Sequence, residues 1–190
     1  MLNGSTKVQK KEGYSTKSFR FARFLRFLKQ KVLQVTSTEK ASSELLKTFR
    51  NKGAQIGFVP TMGALHKGHL HLIELAKQAN DVVVVSIFVN PTQFNNAKDF
   101  DKYPRTLEVD IEKLKAVNCD VLFAPSTKQE VFPEGFDDNM YPTFQVESAM
   151  EGVYRPSHFK GVKNVVGCLF EIVQPHRAYF GQKDFQQLRV

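Results

Sequence analysis

In the stretch FVPTMGALHKGHLHLIELA (Phe58–Ala76), His66 and His69 lie three residues apart, where an apolar run gives way to an amphipathic one. That spacing is close to one helical turn, so the two imidazoles share a face at the start of a helix. The first turn of a helix carries unpaired N–H groups and the positive end of the dipole, which is where anions bind. Gly63 and Gly68 remove side chains where a ligand would come close to the backbone. His71 points off the shared face and no carboxylate follows at a ligand spacing. The pattern therefore favours a phosphate site over zinc, and no metal ligands are expected.

Other segments repeat the theme of a strand end followed by polar residues. FVNPTQF (Phe88–Phe94) offers Asn90 and Gln93, neutral amides suited to a small polar substrate, although Asn-Pro alone is also an ordinary turn. KYPRT (Lys102–Thr106) offers Tyr103 and Arg105, or a cap for the next helix. EGVYRPSHFKGV (Glu151–Val162) brings Arg155, His158 and Lys160 before a helix, as a carboxylate or phosphate would need, or as a solvated basic turn. In FGQKDFQQL (Phe180–Leu188), Gly181 permits close approach beside Gln182, and Lys183 can hold a phosphate. Asp184 can cap the helix or accept ribose hydroxyls, and Gln187, three residues on, faces the same way. Together the segments describe one site for a nucleotide and a small polar acid.

The elements that must hold these residues read as a series of βα units. A helix capped by Ser or Thr runs through Leu45, Leu46 and Phe49 to Gly53. The spacing then predicts a strand over Ala54–Pro60, a helix over Lys67–Asn80 and a strand in DVVVVSIFVN that is covered on both faces. A helix over Thr106–Asn118, a strand over Cys119–Pro125, a loop with one or two irregular strands, and a helix over Phe159–Pro175 follow. RAYFG reads as a short strand, and QKDFQQLRV as the opening of a last helix near Lys183. The fold class is α/β, a doubly wound parallel sheet whose ligands bind beyond the carboxyl ends of the strands.

Bulk properties remove several classes of function. The net charge of +8 sits in residues 1–31, which hold nine Lys or Arg against one acid, whereas residues 32–190 hold eighteen of each. A nucleic-acid-binding body is therefore not expected. FRFARFLRFLKQ within the tail has the pattern of a basic amphipathic helix for a membrane surface or an organelle, or else of an unstructured or misannotated extension. No apolar run approaches the roughly 18–20 residues of a membrane span. Cys119 and Cys168 are expected to be reduced, buried thiols of a cytoplasmic protein.

PTMGALHKGHL, VVVVSIFVNPTQF, YPRT, EGVYRPSHFKGV and YFGQKDFQQL, in this order and spacing, resemble the pantoate–β-alanine ligases (pantothenate synthetases), a family of the HIGH-motif nucleotidyltransferase superfamily. The resemblance spans Leu33 to Val190. It implies a Rossmann-like nucleotide-binding domain over residues 32–190 that makes pantothenate, a step toward coenzyme A, through a pantoyl-adenylate intermediate. It implies ATP with Mg²⁺ held by phosphates and water, pantoate and β-alanine as substrates, a homodimer, and no nucleic acid or membrane partner. His69, His66 and Lys183 would be catalytic, and Met62, Gly63, His66, His69, Gly181, Gln182, Lys183 and Asp184 would bind ATP. Gln93 and Gln187 would hold pantoate, Gln93 would also serve β-alanine, and Asn90, Tyr103, Arg155 and His158 would be further contributors. The family carries a Met-Ser-Ser-Arg-like segment and a lid domain beyond the matched motifs, so the chain is expected to be incomplete and its turnover impaired. Gly is commoner than Ser at the position of Ser157. The alternatives are another small-acid adenylating nucleotidyltransferase, or a non-catalytic remnant whose basic tail recruits membrane or RNA.

Overall fold

The computed structural model describes residues 32–190, so the reading of residues 1–31 lies outside it. The elements are β1 (Gln34–Thr36), α1 (Glu39–Arg50), β2 (Ile56–Thr61), α2 (Lys67–Ala79), β3 (Val82–Ile87), α3 (Ala97–Lys102), α4 (Leu107–Ala116), β4 (Val121–Phe123), α5 (Glu151–Tyr154), α6 (His158–Val173) and β5 (Arg177–Ala178). The five strands form one sheet in the order β1-β4-β3-β2-β5, and every pairing is parallel.

Alternate residues of the apolar strands enter two cores. Ile56, Phe58, Val82, Val84, Val121 and Phe123 pack with Leu46 of α1 and with Val165, Cys168, Leu169 and Ile172 of α6. Val59, Val83, Val85 and Leu122 face Ile73 and Ala76 of α2 and Leu114 of α4. Burial on both faces explains why the strand sequences show no alternation, and it gives the doubly wound α/β architecture expected from the sequence. Cys119 and Cys168 are free and buried, and burial pushes their thiols up, to about 12 and about 11.

Pro60 lies inside β2 at no cost to the ladder. Ile56 and Phe58 accept bonds from His176 and Tyr179 on the β5 side, so even-numbered residues of β2 point that way. β5 pairs only with Gly57 and Phe58, and Pro60 meets no strand on that side to need its N–H. The sheet therefore splits between β2 and β5. The chain winds to β3 and β4 on one side of β2 and to β5 on the other, which is the switch point where open α/β sheets bind ligands.

Several expectations change. β1 was not anticipated; it is an edge strand of three residues, too short to carry a period. The segment after β4 holds 3-10 turns at Lys128–Glu130 and Gln145–Ser148 and no irregular strand among the described residues. α3 also went unread. The expected last helix is a 3-10 turn at Gln182–Asp184 followed by further turns, with Phe185 and Leu188 exposed. Short helices depend on burial of an apolar face, which this segment lacks.

Candidate active site

Two loops face each other across the split between β2 and β5. The first runs from Thr61 to His69. Gly63 takes φ +84°, and a Cβ there would meet Ile87 and Asp110, so the turn itself requires glycine. Ala64 is also left-handed, at φ 48°. Asp110 of α4, fully buried, accepts from the N–H groups of Ala64 and Leu65 at 2.8 Å each and from the Thr106 hydroxyl at 3.1 Å. Lys113 lies 3.6 Å from the Asp110 carboxylate and donates to the Leu65 carbonyl at 2.6 Å. Asp110 was not singled out from the sequence. The available signal was a carboxylate four residues before Leu114 on the inward stripe of an amphipathic helix, a position that demands specific partners.

This loop delivers His66 as the N-cap of α2 and His69 within its first turn. The His66 Nδ1 accepts from the Gly68 N–H at 3.1 Å, and the His69 Nδ1 accepts from the His66 N–H at 3.4 Å. In its neutral form each ring therefore carries its hydrogen on Nε2 and can donate one hydrogen bond outward. The rings stack with centroids 4.0 Å apart. Burial, and then the neighbouring His66, hold the His69 pKa below its ordinary value, against the carboxylates of Asp110 and Asp184. A Cβ on Gly68 would lie 2.9 Å from the His66 ring, so that glycine makes room for the imidazole rather than for a ligand. His71 is exposed and lies 3.7 Å from Glu74, away from the pair.

The second loop follows β5. Gly181 precedes the 3-10 turn that carries Gln182, Lys183 and Asp184, all exposed. The influence of Asp184 on His69 brings this turn beside the histidine pair, and Lys183 lies near enough to Glu151 to help hold its carboxyl low, after the larger effect of Arg155. Gln186 fixes the loop: its amide donates to the carbonyls of Val146 and Ala149 at 2.7 Å each and accepts from the Glu151 N–H at 3.1 Å. Gln187 is half-buried next to it. Adjacent glutamines in a turn give no sign in the sequence of which one is buried; here it is Gln186.

The floor comes from the turn after β3. Gln93 is buried, and its amide donates to the Met62 sulfur at 2.7 Å. Asn90 is fully buried and fully engaged: it donates to the Gly161 carbonyl and to Gln93, and accepts from the Thr92 N–H and hydroxyl. In this structure its amide serves the turn itself. A Cβ on Gly161 would lie 2.4 Å from the Thr92 carbonyl, so α6 meets this turn backbone to backbone. The contact places His158, the first residue of α6, with Nδ1 2.7 Å from the Gln93 carbonyl. Ser157 before it is left-handed at φ 69°, the conformation for which glycine is the natural choice.

The remaining candidates are held elsewhere. Arg155 pairs with Glu151 at 2.8 Å, and Lys160 donates to Asn139. Arg105 bonds the carbonyls of Phe100, Asp101 and Tyr103, so it caps α3 behind it rather than the helix ahead. Tyr103 is half-buried against Phe94; burial first, and then Asp110, raise its pKa. A cavity of about 620 Å³ is lined by Met62, Gly63, Phe88, Phe100, Arg105 and Lys128 among others, and neither the histidines nor Gln93 line it. Among the described residues no three His, Cys, Asp or Glu side chains gather as a metal centre, and no helix is long and apolar enough to cross a membrane.

Comparison with known proteins gives the chain's family and fold. The family model described as Pantoate-beta-alanine ligase matches residues 34–190. The pantothenate synthetase of Thermodesulfovibrio yellowstonii is 50% identical over 159 residues, covering 82% of this chain and 55% of that protein. The Aquifex aeolicus enzyme of the same name is 52% identical over 145 residues, covering 76% and 51%. The crystal structure of the Francisella tularensis pantoate-beta-alanine ligase, complexed with beta-gamma ATP and beta-alanine, superposes with a TM-score of 0.77 at 43% identity, covering 83% of this chain and 60% of that one. The chain spans about half the length of the curated relatives it matches.

Proposed function

The chain belongs to the pantoate–β-alanine ligase family, and on that premise we propose that it condenses pantoate with β-alanine at the expense of ATP, the β2–β5 crevice being the site. The carboxylate of pantoate attacks the α-phosphorus of ATP and displaces pyrophosphate. The amine of β-alanine then attacks the resulting acyl adenylate, giving pantothenate and AMP. A carboxylate nucleophile is already ionised, so the first step asks for positioning and for charge stabilisation at phosphate oxygens.

The observation that carries this reading is the stacked His66–His69 pair, whose Nδ1 atoms are both occupied by backbone N–H groups. Two Nε2–H donors are thereby fixed at a helix N-terminus, and burial disfavours a positive charge on His69. Met62, Gly63 and the Gly181–Asp184 turn would cradle ATP, and Lys183 would meet a phosphate. Gln93 and Gln187 would hold pantoate, Gln93 exchanging the weak sulfur acceptor of Met62 for a substrate oxygen. Mg²⁺ would enter with the triphosphate and its own waters, as is usual for an ion that dehydrates reluctantly. Assembly as a homodimer and residence in the cytoplasm belong to the same reading, and rest on the family alone.

Acid-dependent ATP–pyrophosphate exchange tests the assignment. Pantoate is expected to support slow exchange by the 190-residue chain, and addition of β-alanine to release AMP and pantothenate at an impaired rate. Exchange with a different small acid and none with pantoate would make the chain a different adenylating enzyme. His69→Ala is expected to slow exchange by about 100-fold or more, the usual effect of losing one donor to a transition-state oxyanion.

A further inference from the structure

Three histidines stand at helix starts near the sheet's carboxyl edge, His66 and His69 on α2 and His158 on α6, and their hydrogen bonds divide them. In His66 and His69 the Nδ1 atom accepts a backbone N–H, and the proton sits on Nε2. In His158 the Nδ1 atom lies 2.7 Å from the carbonyl oxygen of Gln93. A carbonyl oxygen can only accept, so this Nδ1 carries the hydrogen and the neutral ring presents the lone pair of Nε2. No bond from a described residue occupies that nitrogen. The orientation is enforced from two sides, by the left-handed Ser157 before it and by the backbone contact of Gly161 with Thr92 and Gln93 behind it.

We propose that His158 is the proton acceptor for the amine in the second half of the reaction. The role rests on the ligase reading above. An aliphatic ammonium group with a pKa near that of lysine is free amine only to about one part in a thousand near pH 7.4, so attack on the acyl adenylate requires deprotonation first. Nε2 of His158 takes one proton from the ammonium, and the freed nitrogen lone pair forms the C–N bond at the acyl carbon. Collapse of the tetrahedral adduct breaks the carbon–oxygen bond to phosphate. That electron pair leaves with AMP, and the nitrogen gives its second proton to water. The other two rings cannot serve, because their lone pairs face the α2 cap.

The surroundings suit the task. Burial lowers the His158 pKa, the Gln93 carbonyl bond opposes it, Arg155 lowers it further and Glu151 raises it. Glu151 of α5 and Arg155 just after that helix are the charged groups acting on the ring; the 91–93 turn offers only a carbonyl. The histidine is thus neutral and able to accept a proton at the pH where the amine is not.

His158→Asn separates this role from a structural one. The Asn Nδ2 stands where the histidine Nδ1 does and still donates to Gln93, while the Nε2 acceptor is gone. The variant is expected to keep pantoate-dependent exchange within about 2-fold and to lose about 100-fold in β-alanine capture. Capture of hydroxylamine, which is unprotonated near neutral pH, is expected to stay within about 3-fold, and the remaining β-alanine rate to climb with pH as free amine appears. Undiminished β-alanine capture overturns the proposal, and so does an equal loss of exchange, hydroxylamine capture and β-alanine capture, which would mark a structural residue. In ¹⁵N-histidine spectra of the unaltered chain, which need no variant, Nδ1–H is expected for His158 and Nε2–H for His66 and His69; Nε2–H on His158 overturns the proposal. No pantoate-dependent exchange by the unaltered chain overturns the ligase reading, and this role with it, whatever the tautomers.

Discussion

The two loops that face each other across the β2–β5 split carry equally distinctive motifs but are held in different ways. The Thr61–His69 loop is bound from beneath: Asp110, fully buried, takes two of its N–H groups, and Lys113 takes the Leu65 carbonyl. The loop after β5 is bound from the side. Its Gln182, Lys183, Asp184 and Phe185 are exposed, and Gln186 ties it to the 146–151 segment, itself surface structure. The difference suits a site that must keep its donors fixed while substrates come and go. Donors aimed at a developing charge work best when they need no rearrangement, and a loop held through surface contacts opens at lower free energy than one anchored in the core.

The largest expected effect comes from removing the buried anchor. Asp110→Ala strands two backbone donors and the Thr106 hydroxyl away from water, and is expected to cost about 3–5 kcal/mol in urea unfolding. Gln186→Ala removes three bonds at the surface-side loop and is expected to cost about 1–3 kcal/mol. Amide exchange should quicken at the Glu151 N–H in that variant and stay unchanged at Ala64 and Leu65. Equal costs for the two variants would erase the distinction between the loops.

The His66/His69 spacing was sufficient to read the donor pair from the sequence, because a helical face follows from three letters and a period. The doubly wound fold was equally legible in the unbroken Val82–Val85 run, which only a sheet covered on both sides explains. What holds the site was not legible. Asp110 acts on Ala64 across forty-six residues, and its type gives no sign that it meets backbone rather than solvent. Asn90 shows the converse: an amide in a motif looks available, yet four hydrogen bonds engage it. Gln182–Val190 has helical letters but exposed Phe185 and Leu188, and without burial the pattern yields turns.

Acid should act on both sides of the crevice. His69 and His158 have folded pKa values held below the ordinary 6.5, chiefly by burial. The folded state then binds fewer protons than the unfolded one between the folded and ordinary values. Their contribution to stability is therefore full above about pH 6.5, the unfolded reference, and is lost as pH falls through the lowered folded values. Unfolding free energy measured from pH 7.5 down to pH 5 should decline less in His69→Gln or His158→Asn than in the unaltered chain. A decline of the same slope in all three proteins would assign the acid sensitivity to other groups.

The smallest effect concerns a residue whose backbone, not its side chain, sets the site. Ser157 is left-handed and exposed, and its hydroxyl caps nothing at the start of α6. A non-glycine residue in that region stores about 1 kcal/mol or more, and glycine returns part of the relief through its greater freedom when unfolded, about 0.5–1 kcal/mol. Ser157→Gly is therefore expected to stabilise the chain by about 0.5 kcal/mol, with the His158–Gln93 bond retained. The equivalent change in the other loop, Ala64→Gly, also relieves a positive φ, at 48°. There Asp110 already fixes the N–H of Ala64, so the two substitutions should give similar gains in unfolding but different changes in exchange. Amides around Ser157 should exchange faster in its glycine variant, while Ala64 and Leu65 should remain protected in theirs. Loss of protection at Leu65 in Ala64→Gly would show that the first loop depends on its own backbone preferences rather than on the carboxylate beneath it.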